Sequence, residues 1–172
     1  GSVLIFLAFG TALTLVLQSS SATMALTLIM LSMGWIPFDM ACAMVLGENI
    51  GTTITANIAA SVGNTQAKRA AMSHTIFNVF GVIWALILYK PLLGMVGLTT
   101  ATVFGLPNPA ADGFAVTSST SPEGTAALYG LSMLHTLFNL TNTLVLVWFT
   151  KLIAKAVSWI IRAPESKEKE VF

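Results

Sequence analysis

Long apolar runs, each broken by a short polar patch, set the pattern of this chain. Residues 3–17 are almost wholly apolar and lead into Gln18-Ser19-Ser20-Ser21-Ala22-Thr23, after which residues 25–33 return to apolar sequence. Residues 38–62 form a second apolar run, interrupted near its middle by Gly47-Glu48-Asn49-Ile50-Gly51-Thr52-Thr53-Ile54-Thr55. Polar groups at this density inside hydrocarbon are costly and mark cavities or ion paths. Irregular backbone at that depth is tolerated only where protein covers it or it lines a cavity.

The lengths of the runs predict an all-α polytopic membrane protein. The arm after the first patch, about a dozen residues, reaches about 18 Å as helix against a hydrocarbon core of roughly 30 Å. It is too short to cross. Residues 3–33 therefore read as a re-entrant helical hairpin with its tip at Gln18 to Ser21, and Gly34 and Pro37 mark the way out. Residues 38–62 read as a broken transmembrane helix, two half-helices at 38–46 and 52–62 joined by unwound backbone between Gly47 and Gly51. Residues 70–89 and 128–149 are full spans. Residues 92–104 are apolar enough to lie in the interface or to re-enter, and 105–124 reads as an exposed loop. Residues 150–162 alternate Lys151, Lys155 and Arg162 with Leu152, Ile153, Val157, Trp159 and Ile160, as an interfacial helix does. Residues 1–163 form one membrane unit, and 164–172 is a charged tail or linker.

Composition agrees with this class. The chain has 172 residues, 55% of them hydrophobic and 9% charged, against about 25% charged in soluble domains. A net charge of +1 gives no basic surface for nucleic acid, and the single cysteine, Cys42, allows no internal disulfide. No basic region opens the chain as a signal peptide would, so Gly1-Ser2 reads as an artificial boundary or a cut inside a longer protein. Lysine and arginine cluster at Lys68-Arg69 and again from Lys151 onward, with two crossings between, which places both groups on the cytoplasmic side. The loop between them lies outside, and the hairpin enters from that side.

The patches also carry candidate chemistry. A helix N-terminus offers unpaired N–H groups and partial positive charge to an anion, and a C-terminus offers carbonyls to a cation. Ser20 or Ser21 is placed to cap the helix after the hairpin tip, and Thr52 or Thr53 the second half-helix. The carbonyls near Leu17 and Leu46, with the side-chain oxygens of Gln18, Asn49, Thr52 and Thr55, make a candidate sodium shell. Secondary transporters use this arrangement for an anion and its coupled cation. Ser73-His74-Thr75-Ile76-Phe77-Asn78 is echoed 61 residues later by Leu134-His135-Thr136-Leu137-Phe138-Asn139. Both histidines are expected to be helix–helix hydrogen bonders near the headgroups. No nucleophile–base pair or metal cluster suggests an enzyme.

The pairing of Gln18-Ser19-Ser20-Ser21 with Asn49-Ile50-Gly51-Thr52-Thr53, followed by Lys68-Arg69-Ala70-Ala71-Met72-Ser73-His74-Thr75-Ile76-Phe77-Asn78, resembles the sodium–phosphate cotransporters of the type II and bacterial kind. Only one Gln-Ser-Ser-Ser is present, so the chain resembles the second repeat, one half of an inverted-repeat transporter. The resemblance implies sodium-coupled phosphate transport by alternating access, with phosphate at Ser19, Ser20, Ser21 and Asn49 and sodium at Gln18, Ser19, Thr52 and Thr55. It implies co-transported sodium and no organic cofactor. The partners are phosphate, sodium, the bilayer, and a missing first repeat or another copy of the chain. The implied location is the bacterial inner membrane with the C-terminus cytoplasmic. Glu48 departs from the pattern, which calls for a small residue there. Transport of another small anion, a passive channel, and a membrane scaffold or sensor are the alternative readings.

The charge asymmetry makes a topological prediction. In a Cys42→Ala background, a cysteine at Asp112 reacts with a membrane-impermeant thiol reagent from outside intact cells, and one at Gln66 does not. The opposite labelling inverts the orientation.

Overall fold

The computed structural model describes residues 1–164, so all but the first residue of the expected charged tail lies outside the described residues. These residues are helical, with no strand among them. The helices are α1 (Ser2–Leu17), α2 (Ser20–Ser32), α3 (Phe38–Ala60), α4 (Thr65–Ile87), α5 (Tyr89–Phe104), α6 (Pro122–Leu146) and α7 (Thr150–Ile160). A 3-10 turn, Val147–Phe149, joins the last two.

The first polar patch stops one helix and starts the next. Gln18 ends α1 in the left-handed conformation, φ 55°, and its N–H bonds to Thr14 O at 2.8 Å. Ser19 is extended and its Oγ accepts the Ala22 N–H at 3.2 Å, which makes Ser19, rather than Ser20 or Ser21, the N-cap of α2. Thr14 Oγ1 donates to Thr23 Oγ1 at 3.0 Å. On one straight helix those residues would stand about 13.5 Å apart along the axis. The chain therefore folds back on itself as a helical hairpin.

The second polar patch does not break its helix. α3 is continuous from Phe38 to Ala60, which corrects the expected half-helices at 38–46 and 52–62. The glycines serve packing instead. Gly47 lies against the backbone of Leu7 and Thr11, Gly51 against Thr11 and Thr14, and Gly10 of α1 against the backbone of Met44. These pairs advance together along both chains, so α1 and α3 run parallel at backbone contact. Gly47 and Gly51 are the small residues, four apart, that permit such an approach between membrane helices. Because α3 stays wound, the carbonyl of Leu46 is not released for a ligand, and neither Thr52 nor Thr53 stands at a helix start. Their hydroxyls donate within the helix, Thr52 to Glu48 O at 2.9 Å and Thr53 to Ile50 O at 2.7 Å.

Two stretches are long and apolar enough to cross a membrane: Thr65–Ile87, and the 39 residues Pro122–Ile160. Both begin before the apolar pattern does, because Asn64 and Ser121 cap them through Ala67 N at 2.9 Å and Gly124 N at 3.0 Å. α4 runs antiparallel to α3. Asn57 Nδ2 donates to Thr75 Oγ1 at 2.6 Å, and Asn78 Nδ2 to Asn49 O at 3.0 Å. α6 is tied to α4 where Asn142 Nδ2 donates to Phe77 O at 2.9 Å and Trp84 Nε1 donates to Asn142 Oδ1 at 3.1 Å. The stretch 92–104 falls in α5, which follows α4 after Leu88 and buries Leu92, Leu93 and Val96 in the core. α7 lies along α4, and Arg69 Nε donates to Ile161 O at 3.0 Å. The core itself gathers Leu31, Phe38, Val45, Leu46, Leu131, Leu134 and Phe138 from α2, α3 and α6.

The α1–α3 contact predicts a contrast between two Gly→Ala changes. A methyl at Gly47 meets backbone atoms of Leu7 and Thr11 that cannot rotate away, so Gly47→Ala costs about 1–3 kcal/mol by overpacking. At Gly94 in α5 an added carbon meets nothing within 4 Å, so Gly94→Ala is neutral or gains roughly 0.5–1 kcal/mol. Thermal unfolding in detergent, followed by circular dichroism, separates the two. Equal stability of both variants refutes the glycine contact.

Candidate functional site

Four helices line an open cavity of about 440 Å³. α2 contributes Ser20 and Ser21, α3 contributes Glu48, Asn49 and Thr52, α4 contributes His74 and Asn78, and α6 contributes His135 and Asn139. A separate hollow of about 510 Å³ lies by the 109–114 loop and holds Asp39, Lys90 and Asp112. The first is the candidate site, because it joins the two polar patches.

The walls differ in chemistry. On the α2 side, Ser19 accepts the N–H groups of Ala22 and Thr23, through its Oγ at 3.2 Å and its carbonyl at 3.2 Å. The Ser20 and Ser21 N–H groups remain as first-turn donors without an intrahelical acceptor, at the positive end of the helix. This wall suits an anion.

On the α3, α4 and α6 side, each asparagine spends an amide proton on a backbone carbonyl. Asn49 Nδ2 donates to Val45 O at 2.9 Å, and Asn139 Nδ2 to His135 O at 2.8 Å. Asn78 Nδ2 donates to Asn49 O and stands 3.0 Å from His74 Nε2. Only an amide NH₂ can donate to a carbonyl, so these partners set each amide's orientation and leave each Oδ1 as an acceptor. If the second Nδ2 proton of Asn78 goes to His74 Nε2, the imidazole carries its own proton on Nδ1. Glu48 is 3% exposed, and its Oε2 is buried with no hydrogen-bond partner among the described residues. No lysine or arginine lines the cavity.

The structure thus brings together Ser20, Ser21, Asn49 and Thr52 from the expected site. Ser19 sits one residue outside as the cap, with its Oγ 3.1 Å from Ser21 Oγ. Gln18 is exposed, and its Nε2 donates to Leu15 O at 2.7 Å. Thr55 donates to Thr52 O at 2.8 Å. Neither Gln18 nor Thr55 lines the cavity. The histidines depart from the sequence expectation, since both His74 and His135 face the cavity with the asparagine four residues on. The echoed His-Thr-x-Phe-Asn motif was the signal for this.

The family model described as Na+/Pi-cotransporter matches residues 2–106, more than half of the chain. The chain belongs to the Na+/Pi-cotransporter family. Among curated relatives, the uncharacterized protein YqeW of Bacillus subtilis is 34% identical over 157 residues, 91% of this chain and 43% of its own length. Human sodium-dependent phosphate transport protein 2C is 38% identical over 101 residues, 54% of this chain and 17% of its own. The "Putative inorganic phosphate export protein YjbB" of Salmonella typhimurium is 24% identical over 162 residues, 94% of this chain and 25% of its own. This Na+/Pi-cotransporter family chain spans less than half the length of each of these relatives. No solved structure matches it.

The cap predicts how the site-bearing helix responds to substitution. Ser19→Ala removes the acceptor for Ala22 N–H and costs about 1 kcal/mol. Ser19→Asp supplies another and restores it. Thermal unfolding of the two variants checks this, and a Ser19→Ala protein as stable as the parent refutes the cap.

Proposed function

We propose that the chain supplies one repeat of a transporter that moves inorganic phosphate across a membrane coupled to sodium, by alternating access. The observation that carries this reading is the meeting of Ser20 and Ser21, at the capped N-terminus of α2, with Asn49 and Thr52 of α3 on one cavity. Membership of the Na+/Pi-cotransporter family supports it. In the proposed site, Ser19, Ser20, Ser21 and Asn49 contact phosphate while Gln18, Ser19, Thr52 and Thr55 contact sodium. Gln18, Ser19 and Thr55 reach it when the hairpin tip and α3 shift, or when an inverted first repeat closes over them. The α1–α2 hairpin is re-entrant, and the protein lies in a bacterial inner membrane with the C-terminus cytoplasmic.

A second reading concerns direction. The relative named for phosphate export aligns over 94% of this chain, and the same site would serve efflux where the outward gradient of phosphate outweighs the coupled inward gradient of sodium. Transport of another small anion and passive permeation are tested by the same assay.

The expected outcome in the complete protein is sodium-dependent phosphate flux in proteoliposomes. Gln18→Ala, Ser19→Ala and Ser20→Ala each lower it at least tenfold with unchanged membrane expression. Flux that ignores the sodium gradient indicates a channel. Full sodium-driven flux in all three variants sinks the site assignment.

A further inference from the structure

Glu48 is the one buried side-chain oxygen bearer in the described residues left without a partner, and it lies on the cavity that the transport reading needs. A buried carboxylate without a counter-charge is destabilising by several kcal/mol, so such groups are paired, coordinate a metal, or neutralise. Among the described residues no cationic side chain lines the cavity. The titratable groups facing it from the surrounding helices are His74 of α4 and His135 of α6, and α2 presents serines. Neighbouring groups keep a side-chain oxygen free to accept: Asn49 on α3, Asn78 on α4 and Asn139 on α6 each bond an Nδ2 proton to a carbonyl, which leaves Oδ1 over, and the Thr52 hydroxyl donates to Glu48 O. Such a wall offers lone pairs, and lone pairs recruit a cation.

We propose that Glu48, with the side-chain oxygens of Asn49, Asn78 and Asn139, forms a site for a monovalent alkali cation on the wall facing the α2 N-terminus. All four residues line one cavity of this chain, and the set differs from the ligands carried over from the family resemblance. That the cation is cargo rests on the reading of the cavity as a transport site. Its class follows from the donors. A single carboxylate among neutral oxygens balances one charge, whereas divalent calcium usually draws several carboxylates. Among the described residues no three His, Cys, Asp or Glu side chains are grouped to hold a metal, which leaves a hard oxygen site of unit charge.

The cation also completes the cavity electrostatically. A bare Glu48 carboxylate would repel an anion at Ser20 and Ser21. With an alkali ion beside it, the far wall is neutral and the α2 N-terminus governs what enters.

The test is thermal unfolding of the full 172-residue chain in detergent. Sodium chloride replaces choline chloride at constant ionic strength, with phosphate absent throughout. The expected result is a saturable rise in the unfolding temperature with sodium, as linkage to the folded state requires. In Glu48→Gln, which keeps the shape and removes the charge, folding is cooperative and the sodium midpoint weakens at least tenfold. In Asn139→Ala, whose amide bonds only its own helix, the midpoint weakens several-fold. No sodium-dependent rise in the parent, or the same midpoint in Glu48→Gln, overturns the proposal. Stronger stabilisation by calcium than by sodium overturns the monovalent assignment. Sodium binding by this chain, with no phosphate flux in the complete protein, leaves the cation site standing and removes the transport reading. Transport without this binding does the reverse.

Discussion

Backbone contact between α1 and α3 is the constraint on which the rest of the molecule depends. Gly47 and Gly51 lie on one stripe of α3 and let α1 approach until backbone meets backbone. At about 100° per residue, Glu48 and Thr52 fall on the adjoining stripe and Asn49 beyond it. The glycine register therefore aims the polar residues at α2, α4 and α6. A shift of α3 by one residue against α1 would press Glu48 into the α1 backbone and turn a glycine toward the cavity. Packing in this chain is thus the means by which a polar site is oriented, and the GxxxG spacing and the site are one device.

Part of this was legible in the residues. The Gln-Ser-Ser-Ser patch was read as a hairpin tip, and the structure turns there, because a run of small hydroxyl residues between apolar arms favours caps over helix interior. The second patch misled. Glycine flanking polar residues has two physical uses, freeing the backbone or letting another backbone approach, and sequence spacing does not distinguish them. The partner decides, and Leu7, Thr11 and Thr14 lie some forty residues away in the chain. The same remoteness hid the histidines. His74 and His135 each sit on an apolar span where an interhelical bond is the ordinary expectation. Only the antiparallel pairing of α4 with α6 turns two similar motifs toward one space.

The cavity is asymmetric for a simple reason. Its donors come from the start of a helix, where backbone N–H groups are left over. Its acceptors come from helix interiors, where asparagine and threonine side chains bond a proton back to a carbonyl and keep their oxygen lone pairs. Sequence position within a helix, more than residue type, sorts the two walls. Asn49 shows this well. Expected among the phosphate ligands, it lines the cavity with one amide proton given to Val45 O, which leaves its second N–H and its Oδ1 uncommitted.

The bonds around Asn142 bear on how such a molecule can move. Asn142 is fully buried, with its amide donating to the Phe77 backbone and accepting from the Trp84 indole, while Trp84 stacks on Phe138 at 5.6 Å between ring centroids. Sliding α6 along α4 would strand both ends of that amide at once, each at a cost of about 1–3 kcal/mol. Those bonds therefore fix the register of α6 against α4. At the α1–α2 turn, by contrast, only a two-residue break, Gln18 and Ser19, and the Thr14–Thr23 hydroxyl contact join the ends of the two helices.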